Sequence, residues 1–185
     1  MSVIAISIST VALAEIGDKT QLLSLMLASC YRKPVPIIAA IFLATIFNHA
    51  LAAWLGVVVA DYISPDVLKW VVAASFFAVA LWILVPDKLD DESCPTERNP
   101  FWASFIAFFI AEIGDKTQIA TSILGARYAD ALIWVIAGTT IGMLLANVPV
   151  VLIGKLSADK LPLKWIRRVT CVLFIGLAIG SVLYA

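Results

Sequence analysis

Charge is scarce in this sequence, and neither sign is left in excess. Of 185 residues only 14% are charged, and 13 basic residues balance 13 acidic ones. Soluble domains run near a quarter charged and half apolar. This chain is 62% hydrophobic with a mean hydropathy of +1.01, which places it among membrane proteins. Without a basic excess there is no electrostatic footprint for a nucleic-acid partner. A single histidine, His49, excludes the clustered imidazoles of a zinc or copper site. The three cysteines, Cys30, Cys94 and Cys171, are odd in number and lack CxxC spacing. They support neither a disulfide framework nor a thiolate metal site, and are expected as small buried or loop thiols. The N-terminus also lacks the positive stretch and cleavage pattern of a secretory signal, so its apolar run is expected to remain as a first spanning helix.

What the chain has instead is long apolar runs. A spanning helix needs about 20 mostly apolar residues. Six segments qualify, at 3–27, 37–60, 67–85, 101–125, 131–154 and 166–184. Prolines mark helix starts: Pro34 and Pro36 before the second run, Pro65, Pro100 and Pro162 before the third, fourth and sixth. Pro149 predicts a kink near Asn147. Trp54, Trp70, Trp82, Trp102, Trp134 and Trp165 read mostly as interfacial anchors. Between Pro86 and Pro100 lie Asp87, Lys88, Asp90, Asp91, Glu92, Glu97 and Arg98, the composition of a solvated linker.

One octapeptide occurs twice. Ala14-Glu15-Ile16-Gly17-Asp18-Lys19-Thr20-Gln21 returns unchanged as Ala111-Glu112-Ile113-Gly114-Asp115-Lys116-Thr117-Gln118. At a one-residue larger offset, His49 matches Asn147, Gly56 matches Gly154, Ala60-Asp61 matches Ala158-Asp159 and Phe76 matches Phe174. Residues 1–86 and 101–185 are therefore expected to be two copies of one three-helix unit, joined by a cytoplasmic linker at 87–100. Three is odd, so the second copy enters the bilayer from the opposite side. The predicted fold is all-α: a polytopic membrane protein of six transmembrane helices in two inverted three-helix repeats. Arg32, Lys33, Lys88, Arg98, Lys155, Lys160, Lys164, Arg167 and Arg168 fall on one side of such a bundle, and only Lys69 and Arg127 on the other. Nine against two puts the loops after the first, third and fifth spans in the cytoplasm and both termini on the non-cytoplasmic side.

Each octapeptide sets two carboxylates and a lysine inside an apolar run. On an unbroken helix Glu15 and Asp18 share a face, with Lys19 flanking Glu15 at i+4, and the same holds for Glu112, Asp115 and Lys116. Gly17 and Gly114 would permit either close helix approach or local unwinding. A carboxylate at mid-bilayer costs about 2.5–3.5 kcal/mol on the milder insertion scale, so four cost on the order of 10 kcal/mol. Such a set survives by mutual approach, protonation, pairing with lysine or cation binding. Local Glu–Lys pairs would leave Asp18 and Asp115 without a partner at that spacing, so pairing of that kind does not account for all four acids. Four carboxylates and two charged lysines sum to −2, the charge that one divalent cation neutralises. Carboxylate, amide and hydroxyl oxygens suit Mg²⁺, Ca²⁺ or Mn²⁺. The expected metal-binding residues are Glu15, Asp18, Glu112 and Asp115, with Glu15 and Glu112 approaching each other near the midplane. Thr20, Gln21, Thr117, Gln118, Lys19 and Lys116 support them. Asn48, His49 and Asn147 are polar helpers near the site; His49 reads foremost as a hydrogen-bonded core histidine and secondly as a proton-transfer or supporting group.

The doubled Glu-x-Gly-Asp-Lys-Thr signature in a six-helix chain resembles a small cation-transporter family that includes bacterial manganese exporters of the MneA type. Its eukaryotic relatives are Golgi calcium/manganese transporters. The resemblance covers the whole chain and implies divalent-cation transport, with the four acids at the metal and Thr20 and Thr117 beside it. The expected function is a secondary transporter in the bacterial inner (plasma) membrane, not an enzyme. It would export Mn²⁺ in exchange for protons and hold no permanent cofactor. A Ca²⁺/H⁺ exchanger is the alternative, and a divalent-cation channel, an intramembrane metalloenzyme or an accessory subunit stand behind it.

Overall fold

The computed structural model describes residues 2–85, 94, 96, 98–153 and 163–183, without the side chains of Leu163 and Ile166. Among these residues the regular structure is helical throughout. Eight α-helices follow in order: α1 Val3–Glu15, α2 Lys19–Tyr31, α3 Pro34–Asp61, α4 Pro65–Ile83, α5 Pro100–Glu112, α6 Lys116–Arg127, α7 Leu132–Ile153 and α8 Leu163–Leu183. A single turn of 3₁₀ helix, Ala129–Ala131, leads into α7.

The helix starts are local chemistry. Pro34, Pro65 and Pro100 each occupy the first helical position, where a missing N–H costs nothing. The Asn99 side chain caps α5 by accepting from the Phe101 N–H at 3.0 Å. At the other end of α2, Arg32 turns left-handed (φ 54°) and its N–H donates to the Ala28 carbonyl, which stops the helix. The helix α7 runs through Pro149. The expectation at Pro162, the matches at Gly154 and Ala158-Asp159, and most of the linker charges lie outside the described residues.

Among the described residues three stretches are long and apolar enough to cross a membrane: Pro34–Asp61, Pro65–Ile83 and Ala129–Ile153. The helices α1 and α5 are shorter apolar segments. Two expected spans, 3–27 and 101–125, are thus not single helices. Each is broken at its octapeptide, into α1 and α2 and into α5 and α6. All six tryptophans face outward, as do Phe47, Leu51, Val59 and Ile133, the kind of surface that hydrocarbon rather than water would cover.

The packing crosses between the halves of the chain. The helix α1 lies on α7 and α5 on α3; α6 lies on α3 and α2 on α7; α4 packs against α8. At the last contact Phe76 meets Phe174 edge-on at 5.9 Å, each residue facing its own sequence counterpart. A Cβ on Gly56 would overlap the Ser122 carbonyl, so α3 and α6 touch backbone to backbone there. One apolar cluster, around Phe76, Val79, Leu124 and Phe174, and a second, around Leu27, Ile37, Phe108 and Met143, make up the core.

The expectation for cysteine is corrected. Cys30, near the end of α2, is bonded to Cys94 in the linker, with Cα atoms 5.8 Å apart, and Cys171 alone is a buried free thiol. Pairing needs proximity, which a separation of 64 residues does not disclose.

Candidate functional site

The octapeptides fold as turns between half-helices. Glu15 is the last residue of α1. Ile16 follows at φ −66°, ψ 115° and Gly17 at φ 80°, and the Asp18 N–H returns to the Glu15 carbonyl at 3.0 Å. Glu112, Ile113 (φ −63°, ψ 117°), Gly114 (φ 76°) and Asp115 repeat this geometry, closed at 3.1 Å. These are the torsions of a type II β-turn, which demands positive φ at its third residue and so favours glycine. The turn ends one helical ladder, and Asp18 and Asp115 open the next as N-cap residues of α2 and α6. There a carboxylate faces the positive end of a helix dipole. Gln21 and Gln118 brace the turns, their side-chain carbonyls accepting the N–H of Gly17 at 2.8 Å and of Gly114 at 2.6 Å.

The break changes who pairs with whom. A continuous helix would set Lys19 beside Glu15 and Lys116 beside Glu112. Instead Lys116 pairs with Asp18, and Lys19 pairs with Asp115 at 3.2 Å. Each lysine thus reaches the aspartate of the other octapeptide, which corrects the shared-face reading. A narrow cleft lined by Gly17, Asp18, Lys116 and Arg167 opens beside the first pair.

The glutamates are fully buried. Glu15 Oε1 accepts from the Asn147 amide at 3.1 Å, and Ser24 Oγ donates to Asn147 Oδ1 at 2.7 Å. Glu112 Oε2 accepts from Thr117 Oγ1 at 3.1 Å, while Asp115 Oδ2 lies 3.4 Å from the same hydroxyl. His49 Nε2 stands 3.7 Å from Glu112 Oε2, beyond hydrogen-bond length, and neither ring nitrogen has a hydrogen-bond partner among the described residues. The hydrogen-bonded core histidine is therefore not what is found. Thr20 Oγ1, the counterpart of the engaged Thr117, is buried without a partner among those residues.

Both glutamines reach the long helix of the other half at matching positions. Gln21 Nε2 donates to the Ala146 carbonyl at 3.0 Å and Gln118 Nε2 to Asn48 Oδ1 at 3.4 Å; the Asn48 amide donates in turn to the Phe109 carbonyl at 3.2 Å. The two octapeptides are thus joined to each other through Lys19–Asp115 and Lys116–Asp18, and to the helpers through Glu15–Asn147, Gln118–Asn48 and the 3.7 Å approach of His49 to Glu112. Among the described residues no three of His, Cys, Asp and Glu converge as a ready metal cage; the aspartates are engaged by ammonium groups instead. Ser24 is the polar residue that sequence reasoning missed. Its signal was its place one helical turn after Thr20, on the same face.

Residues 3–91 and 100–185 match the family model described as divalent cation/proton antiporter GDT1. The chain belongs to the GDT1 family. Its members are antiporters, a transport class rather than a catalytic one. The chain is 76% identical over 184 residues to a protein of Vibrio cholerae named "Putative manganese exporter", covering 100% of this chain and 92% of that one. It is 27% identical over 209 residues to GDT1-like protein 3 of Arabidopsis thaliana, covering 96% of this chain and 69% of the relative. To GDT1-like protein 3 of Oryza sativa it is 24% identical over 208 residues, covering 96% and 72%. No solved structure matches the chain.

Proposed function

We propose that this protein exports divalent cations, Mn²⁺ foremost, across the bacterial inner membrane in exchange for protons. Glu15, Asp18, Glu112 and Asp115 bind the cargo. The observation that carries this reading is the crossed pairing, Lys19 with Asp115 and Lys116 with Asp18, at two turns of identical sequence. Each pair leaves an acid ready for a cation once the ammonium withdraws. The buried glutamates, with one oxygen each lacking a hydrogen-bond partner among the described residues, add two more donors. Thr20, Thr117, Gln21, Gln118, Asn48 and Asn147 orient the acids or supply neutral oxygens. In exchange, the lysines return to the aspartates and protons replace the metal on the glutamates, because buried negative charges do not persist unneutralised in hydrocarbon. The Vibrio relative's name supports Mn²⁺ as the cargo. The all-oxygen character of the acid and amide set keeps Ca²⁺ as the alternative cargo of the same site.

The architecture we propose is six spans in two inverted repeats, 1–86 and 101–185, joined by the linker 87–100, with the broken α1–α2 and α5–α6 segments each counting as one span. Reciprocal contacts support it: Phe76 with Phe174, the crossed ion pairs, and α1 on α7 matched by α5 on α3. Residue i touching j′ while j touches i′ is the signature of a two-fold relation. The charge count orients the linker to the cytoplasm and both termini outward.

The test is flux in liposomes holding the purified protein, with Mn²⁺, Ca²⁺ and Mg²⁺ in competition, with and without an imposed pH gradient. Mn²⁺ movement driven by the gradient is expected, and lost in Glu15→Gln and Glu112→Gln. Normal transport by both variants would remove the proposed site. Flux indifferent to the gradient, with unitary conductance, would make the protein a channel.

A further inference from the structure

The two glutamates look alike in sequence but face different partners. Glu15 meets Asn147, whose amide is engaged on both sides, by Glu15 and by Ser24. At the equivalent place in the other half Glu112 meets His49, which is fully buried and has both ring nitrogens without hydrogen-bond partners among the described residues. Buried polar atoms are paired in nearly all cases, and an unpaired one forfeits its solvation, at a cost that packing alone does not explain. A buried imidazole normally gives its ring N–H to a protein or water acceptor. This ring instead holds Nε2 beside Glu112 Oε2 with a gap of 3.7 Å, too long for a hydrogen bond.

We infer that His49 is a nitrogen ligand for the transported ion, acting with Glu112, and that it favours transition-metal cargo over Ca²⁺ and Mg²⁺. The inference rests on the proposed function and adds to it the basis of selectivity. Ca²⁺ and Mg²⁺ take oxygen donors almost alone, whereas first-row transition ions accept imidazole nitrogen as well. A site of carboxylates and amides would treat Mn²⁺ and Ca²⁺ as near equals. One imidazole among those oxygens separates them, and nothing in the opposite half supplies a second, since the counterpart residue is Asn147. The same nitrogen makes Zn²⁺ and Fe²⁺ effective competitors, because they stand later in the affinity series than Mn²⁺.

His49 is the sole histidine, so a protein purified without an oligohistidine tag reports its nitrogen without ambiguity. Pulsed electron paramagnetic resonance of the protein loaded with Mn²⁺ is expected to show modulation from a directly bound ¹⁴N. That signal changes on ¹⁵N-histidine labelling and vanishes in His49→Asn. In liposomes, His49→Asn, which copies the opposite half, and His49→Gln are expected to lower the Mn²⁺-to-Ca²⁺ flux ratio about tenfold, on the scale of lost metal-site contacts, while Ca²⁺ flux persists. Inhibition by Zn²⁺ is expected to weaken in parallel. Bound Mn²⁺ without nitrogen modulation in the wild-type protein would overturn the inference, and this readout requires no variant to fold. An unchanged flux ratio in both variants would do so as well. Failure of the wild-type protein to bind or move Mn²⁺ would instead strike the proposed function, a result distinguishable from either.

Discussion

Lys19 and Lys116 hold the same place in the same octapeptide, yet their side chains are 31% and 4% exposed. An ion pair open to water is worth at most about 1 kcal/mol. Lys19 is itself partly open to water, so replacing it by Met removes a weak competitor for Asp115, which is buried and keeps the Thr117 hydroxyl beside it. The expected result is a fall of up to about fivefold in the Mn²⁺ concentration for half-maximal transport, measured as initial flux in liposomes. Lys116→Met breaks a fully buried ion pair with Asp18, a change that typically costs about 3–5 kcal/mol. Loss of folded protein, read as a collapsed monodisperse peak on size exclusion, is expected there. The acids and lysines were legible in the sequence because charge inside an apolar run is too costly to be incidental. Their crossed pairing was not, since sequence spacing ranks only neighbours on one element. Ser24 escaped notice because a serine in a membrane helix is inexpensive whatever its role.

The element that organises the molecule is the broken helix, and its cause is a single torsion. Gly114 sits at φ 76° with open space where a Cβ would go, so Gly114→Ala meets no clash and isolates the backbone cost. That cost is about 1–2 kcal/mol for a left-handed alanine. A 185-residue chain would then lose roughly 2–8 °C of apparent Tm, checked by thermal unfolding in detergent. Gly180→Ala, in the last turn of α8 with equal room and no positive φ, is the control and should not fall. Gly56→Ala drives a methyl into the Ser122 carbonyl, so it is expected to part α3 from α6 and to cost more than either. The helix positions themselves were legible from apolar length and proline. The breaks were foreshadowed by the glycines only as one of two options, because a glycine in an apolar run serves close packing as readily as a turn. The type II turn becomes visible once φ is known.

At the scale of the whole molecule, the doubled sequence and the reciprocal contacts agree. Lys69 and Arg127, the two cations assigned to the less basic side, line one cavity of about 140 Å³, and Cys30 reaches Cys94 at the more basic end. In the proposed orientation that end faces the cytoplasm, where thiols are held reduced. In cells the pair is therefore expected as two thiols that join on oxidation. Maleimide–polyethylene glycol added to acid-quenched, denatured cells should shift the protein by three units, and by one after oxidant. A pair already blocked in untreated cells would invert the topology. The bridge was illegible because odd-cysteine arithmetic hides one pair beside one free thiol.

The crossed ammonium groups also bear on the economy of the cell. With a resident cation seated on each aspartate, the idle carrier is already partly filled. If the cargo binds at the proposed site, metal must reach a concentration sufficient to dislodge a tethered rival whose local abundance never changes. Such a device stays quiet at ordinary metal levels and engages when they rise. It behaves as a relief valve for excess, one that spares the pool a cell needs to keep.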